Sequence, residues 1–210
     1  SKEASLKKII LFGLVILFSK FSYGAVDHVV IISIDGGKPA SILSSEMPRL
    51  RELIQDGAGT LTAKTIVPSL TLPSHTSMLT GVGPQSHGIT WNTYLPFKGI
   101  VQVPTIFSVA KASGITTAFF ASKEKFKHLL IPNSFDMFSL VGKDSAYISA
   151  AAANYIETEK PGLIFVHLPD ADIAGHSKGW GSNAQISSLK KIDKSIGEVV
   201  DAVRSSYKNK

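Results

Sequence analysis

Alternating apolar runs and helical segments predict an α/β chain, with a mostly parallel sheet covered by helices on both faces. Two near-continuous apolar runs of strand length, residues 29–34 and 162–168, match strands buried on both faces rather than the alternation of a half-wet sheet. Segments of helical period separate such runs, as the crossovers of a parallel sheet require. The chain contains no cysteine, which excludes a disulfide framework, a Cys-ligated zinc site and a thiol nucleophile. Its stability must come from a core, and 210 residues with 44% hydrophobic and 18% charged content can supply one.

The elements follow in order. Lys7-Lys8, the apolar run 9–18 and the small residues Ser22 and Gly24 have the order of a cleaved secretory signal peptide, assigned to residues 1–24. That run is far shorter than the roughly 20 residues of a membrane span. The remainder, 25–210, is therefore expected to be periplasmic or secreted, with no stable membrane span. The first strand, 29–34, ends at Asp35-Gly36-Gly37. Residues 47–56 form a helix, with Pro48 in its first turn, Leu50, Leu53 and Ile54 on one face and Gly57 as its stop. A second strand is predicted over 59–67, ending at Pro68. A helix over 105–113 closes at Gly114, and a strand follows over 115–121. Residues 145–159 make an Ala-rich helix, 162–168 a buried strand, and 183 to about 207 a long amphipathic helix. Its stripe is Ile186, Leu189, Ile192, Ile196 and Val199.

In such sheets ligands collect at the carboxyl ends of the strands. Asp35 follows the first strand, Thr71 lies shortly after the second, and Asp172 follows the strand ending at Leu168, so all three are predicted to share one edge. Each also has a plainer role open to it. Asp35 and Thr71 could cap helices, Asn92 could shape a loop, and Asp172 and His176 could form a surface pair. Gly175 between the last two argues against a regular exposed helix there. A threonine hydroxyl is a poor nucleophile unless a base or a metal ion stabilises the alkoxide. The formal charge is +6, but Lys2, Lys7, Lys8 and Lys20 against Glu3 place half of it within the first 24 residues. The rest contains no basic block interleaved with aromatics, so nucleic-acid duplex binding is not expected.

Five ordered motifs carry a resemblance. Ser33-Ile34-Asp35-Gly36, Pro68-Ser-Leu-Thr71-Leu-Pro-Ser-His75, Met78-Leu-Thr-Gly81, His87-Gly88-Ile89-Thr-Trp-Asn92 and Asp172-Ile-Ala-Gly-His176 resemble the alkaline phosphatase superfamily. The nearest branch is the type I phosphodiesterase/nucleotide pyrophosphatases. The resemblance implies an alkaline-phosphatase-like fold and a secreted, metal-dependent phosphoric ester hydrolase acting on a small-molecule phosphoester such as a nucleotide. It also implies two zinc ions: Asp35 and Thr71 on one, with Thr71 as nucleophile, and Asp172 and His176 on the other. Asn92 would donate to a phosphoryl oxygen. Lys123 and Lys125, in Lys123-Glu124-Lys125, resemble the cations that hold a terminal anionic group in phosphonoacetate hydrolases and phosphomonoesterases. Those activities are the first alternative, and a non-catalytic fragment is the second.

One departure stands out. The resemblance calls for an Asp-His pair and a further His beyond the last long helix, yet no histidine follows His176. The chain is therefore expected to hold the N-terminal portion of such a catalytic domain, incomplete at its C-terminus, with two ligands per metal and an uncovered sheet edge or apolar patch. His75, His87, His128 and His167 are read as structural or left unassigned. Trp91, Tyr94 and Phe97 are candidates either for sandwiching a base or for simple packing.

Overall fold

The computed structural model describes residues 26–207, so the signal-peptide assignment to 1–24 lies outside the described residues. The order is β1 (Val29–Ile34), α1 (Pro39–Ser44), α2 (Pro48–Asp56), α3 (Thr71–Thr80), α4 (Pro84–His87), α5 (Ile106–Ala112), β2 (Thr117–Ala121), β3 (Met137–Leu140), α6 (Ser145–Glu159), β4 (Leu163–Leu168), α7 (Asp170–Lys178) and α8 (Asn183–Ser206). The four strands form one parallel sheet in the order β1-β4-β2-β3. Val29 through Ile34 pair one for one with Leu163 through Leu168, and Thr117 pairs with Leu163 on the other side of β4. Parallel pairing sends every strand out at the same edge, which sets Asp35, Lys123 and Asp172 near one another.

Successive side chains along a strand point to opposite faces, and the two faces bury different cores. Ala118, Phe120, Ile164 and Val166 meet Ile148, Ala152 and Ile156 of α6 and Leu189, Ile192, Ile196 and Val199 of α8. The last four are the predicted stripe, with Ile186 half-buried at its start. On the other face Phe119 and Phe165 stack at 4.8 Å beneath Leu72 and Leu79 of α3 and Phe107 of α5. Each aromatic ring buried this fully contributes about 1.5–3 kcal/mol. Two caps fix helix starts: Thr105 and Ser108 form a reciprocal capping box on α5, and Asp144 accepts from the Tyr147 amide at α6.

Two expectations need correcting. Residues 59–67 form no strand; they run as an irregular segment, nearly all exposed, because no sheet face is there to bury their Thr, Ile and Val side chains. The fourth strand is instead β3, only four residues long and set beside Asp136, too short to stand out as an apolar run. β1 is half-buried rather than buried on both faces, since it lies at the sheet margin while β2 and β4 are buried throughout.

Candidate active site

Glycine and a buried amide bring the loops together. At Gly36 (φ +72°) an added Cβ would sit 2.6 Å from Asp172 Cα, so only glycine lets the loop after β1 touch the first turn of α7. Gln185, fully buried on α8, uses its whole hydrogen-bonding capacity there. Its Nε2 donates to Gly36 O (3.1 Å) and Ala171 O (3.4 Å), and its Oε1 accepts from Ser41 Oγ (3.0 Å) and Gly181 N (2.6 Å). One side chain thus fixes the neighbours of both Asp35 and Asp172.

Asp35 Oδ2 is the centre of the cluster. It accepts from Lys123 Nζ at 2.5 Å, Thr71 Oγ1 at 3.1 Å and His167 Nε2 at 3.2 Å. Lys123 Nζ also donates to Asp172 Oδ2 at 2.5 Å, so one ammonium bridges two carboxylates. All three of these charged side chains are at most 15% exposed. Burial pushes the Asp35 carboxyl up, but the hydrogen bond from His167 and the Lys123 ammonium overcome it and hold Asp35 well below the usual carboxylate range. Burial dominates at His167 and pushes that imidazole down. A neutral ring facing a carboxylate donates through Nε2, which leaves its Nδ1 buried without a partner among the described residues.

Thr71 opens α3, where the helix dipole favours an anion, although the Leu72 amide is engaged by Asn92 and Pro73 has no N–H. Its backbone is fixed from behind. Burial lowers His75 to about 4, so the neutral ring donates from Nδ1 to Thr71 O (2.7 Å) and accepts at Nε2 from Ser33 Oγ (2.8 Å). Beside it, Asn92 Oδ1 accepts from Leu72 N (2.9 Å) and Lys125 Nζ (3.1 Å). Both oxygen lone pairs are then used, and the Asn92 amide N–H groups remain as donors. Lys125, half-buried, is pushed down by burial and by the charge of Lys123.

Asp35, Thr71, Lys123 and Asp172 are therefore brought into one connected cluster, with Asn92 on the neighbouring Leu72 amide and Lys125 on Asn92. His176 Nε2 reaches Asp172 Oδ1 at 3.3 Å from a position 72% exposed. The doubt about a regular helix here does not hold: residues 170–178 form α7, and Gly175 is present because the Trp180 ring takes the space of a Cβ, 2.6 Å away. Lys123, expected to reach toward substrate, is engaged by the two carboxylates. His167 and His75, read as structural or left unassigned, both touch the cluster. The signal for His167 was its register opposite Ser33, two residues before Asp35. Trp91 and Tyr94 pack against His128 at 5.2 and 5.3 Å, and Lys98 and Lys127 lie over their rings, so those faces are occupied by protein; Phe97 is exposed.

Asp35 with Thr71 and Asp172 with His176 have suitable atom types for a metal, but each pair offers two ligands where three or four are usual for zinc. No group of three or more His, Asp or Glu suited to a metal exists among the described residues, and the Lys123 ammonium already engages both carboxylates. As described, the set does not complete a metal site.

Fold and geometry define an α/β protein with a threonine hydroxyl, two carboxylates and a lysine gathered at the carboxyl edge of a parallel sheet. The chain belongs to the type I phosphodiesterase / nucleotide pyrophosphatase family, whose model matches residues 29–209. It is 24% identical over 181 residues to human ectonucleotide pyrophosphatase/phosphodiesterase family member 1, an alignment covering 75% of this chain and 19% of that protein. Murine ectonucleotide pyrophosphatase/phosphodiesterase 5 superposes with a TM-score of 0.70 at 17% identity, covering 85% of this chain and 53% of that one. Phosphonoacetate hydrolase from Sinorhizobium meliloti gives 0.65 at 21% identity, covering 84% and 54%. The chain thus spans about half the length of these solved structures and less of the human relative.

Proposed function

We propose that this chain carries the nucleophile half of a phosphoric ester hydrolase, a phosphodiesterase or nucleotide pyrophosphatase, with Thr71 as the attacking group. The observation that supports it most is the Thr71 hydroxyl, placed at a helix N-terminus, hydrogen-bonded to Asp35 and flanked by the free amide donors of Asn92. Thr71 Oγ would form a new bond to phosphorus while the bond to the leaving oxygen breaks, its proton ending on the departing alcohol. Water would repeat the displacement on the phosphothreonine, restoring Thr71 and releasing the phosphate monoester. Asn92 and Lys125 would face the charge that develops on the phosphoryl oxygens. Asp35, held so far down, is a weak base and serves to orient the hydroxyl.

The missing activation is what a metal supplies: a lowered hydroxyl pKa and a stabilised leaving oxygen. Asp35 with Thr71 and Asp172 with His176 are the donors this chain would contribute to the two zinc ions the family resemblance implies, short of a full set. Murine family member 5 has been solved with AMP, which supports a nucleotide as substrate class. Export to the periplasm or beyond follows from reading 1–24 as a signal peptide; among the described residues no helix is long and apolar enough to cross a membrane. Lys125 beside Asn92 and the likeness to phosphonoacetate hydrolase favour a second reading, activity on monoesters or phosphonates.

Hydrolysis of bis-para-nitrophenyl phosphate, para-nitrophenyl phosphate and phosphonoacetate by the chain and its Thr71→Ala variant tests both. The diester is expected to be turned over fastest, with a loss of about 10³-fold in Thr71→Ala. Faster monoester or phosphonate turnover selects the second reading, and turnover that ignores Thr71 contradicts both.

A further inference from the structure

We propose that Lys123 is a built-in competitor for divalent cations at this edge: its ammonium already joins Asp35 to Asp172, and must swing out before these carboxylates can bind one. The inference rests on the reading of Asp35 and Asp172 as cation donors, and not on which ester the site cleaves. Lys123 Nζ lies 2.5 Å from Asp35 Oδ2 and 2.5 Å from Asp172 Oδ2. With all three side chains mostly buried, the ammonium offsets two like charges that water reaches poorly, so it leaves only when another cation replaces it. Asp35 Oδ2 also has no free lone pair for a second cation. Thr71 Oγ1 and His167 Nε2 donate to that same oxygen at 3.1 and 3.2 Å, and an oxygen carries two lone pairs.

Of the three donors crowded on that oxygen, Lys123 is the one that can move away. His167 is fully buried within β4, its ring edge-on to Phe126 and His75 at 4.8 and 5.1 Å. Thr71 begins α3, and its carbonyl is held by His75. Lys123 reaches the carboxylates on a flexible four-carbon stem. Its backbone is anchored: Phe126 N donates to Lys123 O at 3.1 Å, and the short 3-10 helix Glu124–Leu129 buries Phe126 and Leu129. Exchange therefore moves one side chain and leaves the loop in place. Lys125, on the same segment, is bound to Asn92 and takes no part in the bridge. An ammonium and a divalent ion repel strongly where water screens them little, so the two do not share the carboxylates. By linkage, whatever the lysine contributes to the cluster is subtracted from the affinity for the cation.

Calorimetric titration of the folded chain with zinc chloride tests this without turnover. Lys123→Met keeps the apolar stem and removes the ammonium, and is expected to bind zinc about 10–100-fold more tightly than the unaltered chain, the worth of one hydrogen bond between charged groups. Lys123→Arg, which keeps the charge, should bind no more tightly than the unaltered chain, and adding Asp35→Asn to Lys123→Met should abolish the gain. If circular dichroism shows that Lys123→Met does not fold, Lys123→Gln takes its place, offering the carboxylates a donor without a charge. Equal zinc affinity with and without the ammonium overturns the competition. So does a gain that survives Asp35→Asn, which would place the zinc elsewhere. Zinc binding to none of the folded chains overturns it too, and removes Asp35 and Asp172 as cation donors; Thr71-dependent turnover by the same preparations would then leave the hydrolase reading standing alone.

Discussion

Asp35 and Asp172 are joined by one lysine, yet their surroundings are opposite. Asp35 gathers a lysine, a threonine hydroxyl and a buried histidine on a single oxygen, and the threonine is held from behind by His75 and Ser33. Asp172 has the shared lysine and one histidine that is 72% exposed, beside a half-open tryptophan. The difference teaches where variation can sit. The Thr71 hydroxyl, the proposed attacking group, is fixed before any substrate arrives, which is how positioning would lower a barrier, whereas the Asp172 side is more open.

The comparison breaks most visibly at Asp35. Asp35→Asn removes the charge that Lys123, Thr71 and His167 all address, and kcat is expected to fall about 10²–10³-fold with a smaller change in KM. Asp172→Asn should cost less; equal losses in steady-state kinetics would erase the asymmetry. Gln185→Leu should loosen both ends together, because it leaves the Gly36 and Ala171 carbonyls, the Gly181 amide and the Ser41 hydroxyl without their partner. A loss of about 2–4 kcal/mol by urea denaturation is expected, and a loss under 1 kcal/mol would show that the frame does not depend on this amide. His176→Ala sharpens the contrast from the open side, with about a tenfold fall in kcat/KM expected and no change in melting temperature, as suits an exposed side chain.

The smallest effect lies at the far end of the sheet. Asp136 accepts from Lys111 and from the Thr117 amide, and the Lys111 hydrogen bond is the main cause holding its carboxyl below the usual range. A carboxyl lowered on folding stabilises fully above its unfolded value, near 3.9, and that stabilisation is lost as pH falls through the folded value. Asp136→Asn is expected to cost about 1 kcal/mol at neutral pH, with the difference shrinking in acid and activity unchanged. A gap that persists at low pH would assign the effect to packing instead of charge.

Much of this arrangement was legible along the chain. β4 and α8 announce themselves by a six-residue apolar run and a stripe at helical spacing, signals that need no partner to be read. Asp35, Thr71 and Asp172 were expected on one edge because parallel strands all exit there, although Thr71 arrives from an irregular segment and not from a strand. What escaped was set by distant neighbours. Thr60, Thr62, Ile66 and Val67 have strand-forming side chains but no sheet to join, while β3 is too short to show a period. His167 matters only because parallel register lays β4 beside β1, and Gln185 only because α8 crosses under two loops more than ten residues apart in one case and nearly 150 in the other. Gly175 looked like a helix breaker because nothing in its own segment reveals that an indole rests on it.

The most direct measurement is to mix the chain with bis-para-nitrophenyl phosphate, quench in acid within the first turnovers, and map peptides by mass spectrometry. A para-nitrophenyl phosphoryl adduct on Thr71, formed and lost at rates matching turnover and absent from Thr71→Ala, is the predicted result. Turnover with no adduct on Thr71, or no Thr71-dependent turnover at all, would contradict the assignment of Thr71 as nucleophile.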